Sequence, residues 1–275
     1  MADNVEEMPQ EIALQLFQSG AFLIFKDSLS LSMEFGIDYK SWNIGNKFLG
    51  LKMIPPGIHF VYLSVKDAPR IGFFHYFQPQ EILVRKWDKN AEDFDVNYKS
   101  CQEEIDRIRD NLKNLDSSLG AYPYSTYRQW VSLSSYISPK TVKRLQPDNI
   151  LGKITSQTEL ITKEQELEQQ LGDSLGTSTV NRSFPNRIRF KDAIGMPIMT
   201  AKPGTSIHFT EIPQVSLADT NLKKAGIDSS DRLYTILKQL GDDYRELLGE
   251  FQYSFVVFLM GQVYEGFEQW KELFI

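Results

Sequence analysis

Residues 49–87 read LGLKMIPPGIHFVYLSVKDAPRIGFFHYFQPQEILVRKW, and this stretch decides the fold class. Its apolar residues fall into short runs, 49–54, 58–65, 71–77 and 81–87, rich in β-branched and aromatic types. Between them stand Pro55-Pro56-Gly57, residues 66–69 and Gln78-Pro79-Gln80, all turn chemistry. Connections this short suit antiparallel neighbours and leave no room for parallel crossovers. The stretch predicts an antiparallel, β-rich layer.

Working outward, residues 9–19 predict a short helix: Pro9 suits a first turn, Ile12, Leu16 and Phe17 share a face, and Gly20 is a stop. A strand, 21–25, follows. Gly36, Gly45 and Gly50 read as turn positions, with Tyr39, Trp42 and Phe48 clustered among them. After the strands the period changes. Ile105, Ile108, Leu112, Leu115 and Leu119 recur at three and four residues and end at Gly120, an amphipathic helix with one buried stripe. Tyr122-Pro123-Tyr124 makes a corner. Ser125 is read as the N-cap of a helix carrying Trp130, Leu133 and Ile137, and Ser138-Pro139 opens a further short helix with Val142 and Leu145. Residues 1–147 form a β-rich N-terminal domain with packed helices.

Residues 148–203 are polar, with 164–170 almost wholly hydrophilic, and read as a mobile linker. Residues 205–210 predict an isolated strand, with Ile207 and Phe209 on one face. The region 204–275 then begins an α-helical C-terminal domain. One helix carries Leu233, Ile236, Leu237 and Leu240, capped by Ser229 or Ser230 and stopped by Gly241. A single last helix is expected over 242–274. Around 255–260 its apolar residues cover the whole circumference, so other elements must surround it. Burying one such side chain is worth about 1.5–3 kcal/mol. One other helix in this half covers one side only, so the domain reads as truncated, its cover supplied by more chain, another copy or a partner. Phe258, Leu259, Val263 or Phe267 is expected to be exposed. The fold class is α+β.

The composition, 41% hydrophobic and 24% charged, is that of a globular protein. Cys101 is the one cysteine, so no internal disulfide forms. The acidic, polar N-terminus does not resemble a secretory signal, which points to a reducing compartment, cytoplasmic and nuclear and not secreted. The apolar run 255–260 is far short of the roughly 20 residues of a bilayer span, so no membrane is expected. A net charge of −6 and a pI near 5.3 disfavour a dominant grip on nucleic acid. The basic group Arg187, Arg189 and Lys191 is small and reads as a solvated loop, and RNA contact is at most indirect.

Chemistry is sparse. His59, His75 and His208 stand at no metal-ligand spacing, and no nucleophile elbow, phosphate loop or dinucleotide fingerprint occurs. His59 and His75 fall in predicted strands, where a satisfied core or edge role is the ordinary one. Cys101 heads an amphipathic helix, a place that favours a thiolate, yet no histidine motif accompanies it. No catalytic residue, cofactor or metal is assigned. The alternative, an intracellular enzyme using a pocket in the β-rich domain, requires clustered His, Cys or carboxylates in loops. Large aromatics are common interface anchors, and Tyr264, Phe267 and Trp270 gather near the chain end. The candidate partner-binding residues are Tyr264, Glu268, Trp270 and Lys271.

Several stretches, in order, resemble the Aar-two splicing-factor family: EFGIDYKSWN (34–43) through Phe48 to KMIPPGIH (52–59), GFF (72–74), LGAYPY (119–124), GTSIHF (204–209) with EIP (211–213), and GEFQY (249–253) through GQVYE (261–265) to FEQWK (267–271). The resemblance covers nearly all of the chain outside the linker. It implies a non-enzymatic assembly factor of the U5 small nuclear ribonucleoprotein. Such factors bind the spliceosome's large scaffold protein, pre-mRNA-processing factor eight, at its RNase H-like and Jab/MPN-like domains, keep the particle's helicase off, and leave before maturation. It also implies a β-rich domain, a linker and a helical domain, with further helices and a tail past the FEQWK helix.

Overall fold

The computed structural model describes residues 9–27, 29, 33–66, 68–160, 199–202, 204–212 and 230–274. Helix α1 (Gln10–Ser19) stops at Gly20, whose N–H returns to the Leu16 carbonyl. Strand β1 (Ala21–Phe25) is followed by the hairpin β2 (Met33–Ile37) and β3 (Lys40–Ile44). Next come β4 (Gly50–Ile54), β5 (Gly57–Val65), β6 (Ile71–Phe77) and β7 (Ile82–Arg85), then the short β8 (Trp87–Asp88) and β9 (Asp93–Phe94). Helix α2 (Gln102–Leu115), β10 (Leu119–Ala121), α3 (Tyr127–Ser134), α4 (Pro139–Leu145), β11 (Ile154–Thr155), β12 (Thr158–Leu160) and β13 (Met199–Ala201) follow. The C-terminal part carries α5 (Ser230–Gln239), α6 (Tyr244–Leu259) and α7 (Tyr264–Leu273).

The strands make two main sheets and not one layer. The order is β10-β4-β1-β7 in the first and β11-β6-β5-β2-β3 in the second. The second is antiparallel throughout, with β5 and β6 paired from Gly57↔Phe77 to Leu63↔Ile71. In the first, β1 pairs parallel with β7 and β10 parallel with β4. The short turns forbid a parallel crossover between consecutive strands. Here the crossover from β1 to β7 is long, because the chain builds most of the second sheet on the way.

The two sheets face each other over a core that includes Leu23, Phe35, Leu51, Val61 and Phe73. On the far side of the first sheet, Ile24, Ile82 and Val84 meet the α2 stripe Ile105, Ile108, Leu112 and Leu115. On the far side of the second, Phe60, Tyr62 and Phe74 meet Trp130, Val142 and Leu145, together with Tyr253, Val256, Val257 and Met260 of α6. Strands β5 and β6 are thus buried on both faces, which is why they read as nearly continuous apolar runs. A sheet covered on one side alone would alternate apolar and polar.

This arrangement corrects the reading of the chain end. The inward face of α6 is covered by the N-terminal sheet and by neighbouring helices, whereas Phe251, Phe255 and Phe258 on its other side are only partly buried and Leu259 is exposed, as expected for an incompletely covered helix. The expected single helix over 242–274 is two. The chain breaks after Leu259 at Met260–Val263, where Gln262 has a φ of +58°, and α7 folds back on α6. Of the four residues expected to be exposed, Leu259 is 44% exposed, Phe258 and Phe267 are partly buried, and Val263 is buried.

Other details differ too. Residues 205–210 run extended but join no ladder; Ile207 and Phe209 are buried, and the His208 N–H bonds the Leu145 carbonyl. The N-cap of α3 is Thr126, after a 3₁₀ turn that includes Ser125. Ser138 caps α4 as expected, accepting from the Thr141 N–H with Pro139 in the first turn. Strand β11 lies inside the stretch read as linker, and its Ile154 is buried beside β6. The hydrophilic 164–170 and the basic Arg187, Arg189 and Lys191 lie outside the described residues.

Candidate partner-binding surface and the seam behind it

Helix α6 begins with Asp243 accepting from the Arg245 N–H. One turn on, its inward face places two carboxylates, Glu246 and Glu250, among apolar residues. Glu250 is fully buried. It accepts from Arg144 on α4 at 2.8 Å, from the Thr210 backbone N–H at 2.7 Å and hydroxyl at 2.5 Å, and from the Gln269 amide of α7 at 2.9 Å. Gln269 donates as well to the Thr210 carbonyl. Three segments, α4, the stretch at Thr210 and α7, therefore close on one carboxylate of α6. Glu246 lies beside Arg144, Lys140 and Ser138 at 3.4–3.6 Å.

At the other end of α6, Arg70, just before β6, donates to the Met260 carbonyl at 2.8 Å and to Glu34 at 3.1 Å, with its guanidinium over the Tyr62 ring. A cation on the final carbonyls suits the negative end of the helix dipole. The helix comes close at Gly249, where an added Cβ would stand 2.6 Å from the Tyr136 carbonyl and 2.8 Å from the Thr141 hydroxyl. Gly249→Val is expected to cost about 1–3 kcal/mol by overpacking, read as a lower denaturant midpoint with an unchanged m-value.

On the outer side of α6 and α7 lies a ladder of rings. Trp270 packs against Phe251, Phe255, Phe267 and Phe274 at centroid distances of 5.3–6.1 Å, and Phe258 meets Phe267 at 4.8 Å. Phe274 is 72% exposed and Tyr264 56%. The Tyr264 hydroxyl bonds to Glu268, whose carboxylate pairs with Lys271 at 2.9 Å, and Lys271 sits over the Phe267 ring. Of the four candidate residues, Tyr264, Glu268 and Lys271 thus form one connected rim, and Trp270 turns inward as the anchor. Beneath them Glu265 is partly buried, and burial pushes its carboxyl up to about 7.

The residues a sequence reading would try as catalysts are placed otherwise. His59 is buried, with Nδ1 2.7 Å from Asp38 and Nε2 2.8 Å from the Pro55 carbonyl. Asp38 also accepts from the Tyr122 hydroxyl and the Phe60 N–H. The group is enclosed and internally satisfied, and it locks the β2–β3 turn, where Asp38 has a φ of +53°, to β5 and the LGAYPY corner. His75 pairs with Glu81, His208 lies beside Asp148, and Cys101 is exposed. Among the described residues no three His, Cys, Asp or Glu side chains are grouped to hold a metal, and no helix is long and apolar enough to cross a membrane.

Arg144, Glu250, Thr210 and Gln269 escaped the sequence reading. The signal was present: two acids four residues apart on the inward face of an apolar helix need partners. It did not say which.

The sequence is similar to those of known proteins. Residues 19–147 match the AAR2 N-terminal domain, and residues 209–275 match the AAR2 C-terminal repeat region. Among curated relatives, the AAR2 homologue of Caenorhabditis elegans is 48% identical over 270 residues, 97% of this chain and 74% of the relative. The AAR2 homologue of Homo sapiens is 35% identical over 280 residues, again 97% of this chain, and 71% of the relative. That of Mus musculus is 36% identical with the same coverage. The matched N-terminal region spans β1 to β10 with α2 to α4, and the matched C-terminal region holds the buried Glu250 and the ring ladder. This chain belongs to the AAR2 family.

Proposed function

We infer that the chain is a non-enzymatic assembly factor of the U5 small nuclear ribonucleoprotein in pre-mRNA splicing. It binds pre-mRNA-processing factor eight through that protein's RNase H-like and Jab/MPN-like domains, holds it in an immature particle, and acts in the cytoplasm and nucleus. Family membership supports this reading. The observation that carries it is the ring ladder on α6 and α7, half in and half out of solvent and bordered by Tyr264, Glu268 and Lys271. Large aromatic anchors inside a polar rim are the usual build of a protein-binding surface. The seam through Glu250 and Arg70 holds that surface rigid against the N-terminal sheet, which lowers the entropy lost on binding.

The test is co-purification of the full chain with the isolated RNase H-like domain. A stable complex at micromolar concentrations is expected. No complex under any salt condition would remove the basis for the proposal.

A further inference from the structure

His59 on β5 and Asp38 in the β2–β3 turn have side chains only 1% and 0% exposed. Counting donors and acceptors places the hydrogens of this pair. The Pro55 carbonyl, 2.8 Å from Nε2, can only accept, so Nε2 carries a hydrogen. The 2.7 Å contact between Nδ1 and Asp38 Oδ2 needs a second hydrogen between them. That hydrogen belongs either to the ring or to the carboxyl. Asp38 already accepts from the Phe60 N–H at 3.0 Å on Oδ1 and from the Tyr122 hydroxyl at 2.6 Å on Oδ2. Donors aimed at both oxygens favour the ionised carboxylate. The second hydrogen then sits on Nδ1, and the ring is a cation.

The surroundings suit that charge. Trp130 and Tyr127 of α3 lie nearly parallel to the imidazole, at 18° and 20°, with centroids 6.2 and 6.5 Å away. Phe77 at the end of β6 and Tyr122 meet it edge to face at 5.8 and 5.3 Å. Four aromatic rings therefore box it in, and the faces of such rings attract cations. The titratable groups on these elements are Asp38, Tyr122 and Tyr127. Burial raises both phenols, so they stay neutral and the charge opposite the ring is that of Asp38. The same carboxylate ties the backbone. Asp38 has a left-handed φ, and its own N–H donates to the Phe60 carbonyl at 2.8 Å. The turn, β5 and the corner at Tyr122 thus meet at one ion pair.

We propose that His59 is kept as an imidazolium, and that its buried proton is a latch that fastens the β2–β3 turn to β5 and to the Tyr122 corner and opens when alkali removes it. Without the Nδ1 hydrogen a nitrogen lone pair faces the Asp38 carboxylate in a dry interior, where an unmade hydrogen bond is costly, and the turn swings away. The folded chain binds this proton, so the contribution of the pair is lost as pH rises. The moving part carries β3, whose Lys40, Ser41, Trp42 and Asn43 are exposed.

The test is nuclear magnetic resonance of the full chain labelled with ¹⁵N in its histidine rings and backbone and with ¹³C in its aspartate carboxyls. His75→Gln and His208→Gln, at the two more exposed rings, assign the His59 signals by elimination. At pH 7.5 both His59 nitrogens are expected to show one-bond coupling to hydrogen, and the Asp38 carbon the shift of a carboxylate. Raising the pH to 9.5 is expected to remove the Nδ1 coupling and to move the buried Phe60 amide with the same midpoint. Asp38→Asn, a residue type that tolerates a left-handed φ, is expected to leave a hydrogen on Nε2 alone at pH 7.5 and a Phe60 amide that does not titrate. A bare Nδ1 at pH 7.5, a protonated Asp38 carboxyl, an Nδ1 hydrogen that persists to pH 9.5, or a Phe60 amide unmoved when it leaves would each overturn the proposal. So would an Asp38→Asn chain whose His59 keeps both hydrogens. The sample contains no scaffold protein, so its outcome is separate from that of the co-purification.

Discussion

Glu250→Ala is expected to lower the stability of the chain by about 3 kcal/mol or more, since removing one partner of a buried ion pair strands the other. The carboxylate is fully buried and closes four hydrogen bonds, from Arg144, Gln269 and two groups of Thr210. Without it the Arg144 guanidinium, one of whose nitrogens is already buried without a partner, keeps the neutral Thr210 hydroxyl at 3.0 Å and, as its only anionic partner, the longer contact to Glu246. The Thr210 N–H and the Gln269 amide lose an acceptor as well. The expected signature is local before it is global. Amides of α6 and α7 exchange faster than those of β5 and β6, and the urea midpoint falls. Glu250→Gln keeps an acceptor oxygen and is expected to lose less. Equal stability of Glu250→Ala and the parent chain would mean that the seam does not hold the helices.

The second large effect concerns Glu265. Burial raises its carboxyl from 4.5 to about 7 in the folded chain. A carboxyl raised on folding is bound to its proton more tightly in the native state, so the sign is opposite to that of a salt-bridged acid. The penalty is absent below the unfolded value near 4.5. It grows as pH rises toward 7 and is complete above it, at up to about 3 kcal/mol. The part of that loss due to Glu265 is expected to vanish in Glu265→Gln, which should be more stable than the parent at pH 8 and equal to it near pH 4.5. The nearby Tyr253 hydroxyl is raised by burial and by the Glu250 and Glu265 charges, so it stays neutral throughout this range and adds nothing to the pH dependence. Melting curves of both chains from pH 4.5 to 8 check this, and parallel curves would contradict it.

Much of the fold was legible because local chemistry and tertiary structure agree. The strands β4 to β7 follow their proline and glycine punctuation, Ser138-Pro139 starts α4, and the stripe of α2 covers the first sheet. The hairpin β2–β3 was hidden because Gly36 and Gly45 look like turns. Gly36 is instead a strand position, where a Cβ would run into the Tyr62 ring. The last helix was read as one because Met260, Gly261 and Gln262 do not break the apolar repeat; a left-handed residue at Gln262 has no sequence signature of its own. The sheet that covers its inner face was not foreseen for another reason. Periodicity tells that a face is buried, and the sheet that buries α6 lies nearly 200 residues upstream. Of the candidate surface, the aromatics and their rim were visible in sequence, whereas the pairing of Glu250 with Arg144 and of Met260 with Arg70 depends on contacts that only the folded chain makes.

The ring ladder as a binding surface is the claim on which the function turns, and calorimetric titration of the RNase H-like domain of the scaffold protein into the full chain tests it most directly. Tyr264→Ala with Lys271→Glu alters two exposed rim residues and should leave the melting temperature within about 2 °C, as surface changes do. The predicted result is binding by the parent chain and at least tenfold weaker binding by the double variant. Undiminished binding by the double variant would place the contact elsewhere and contradict the assignment of this surface.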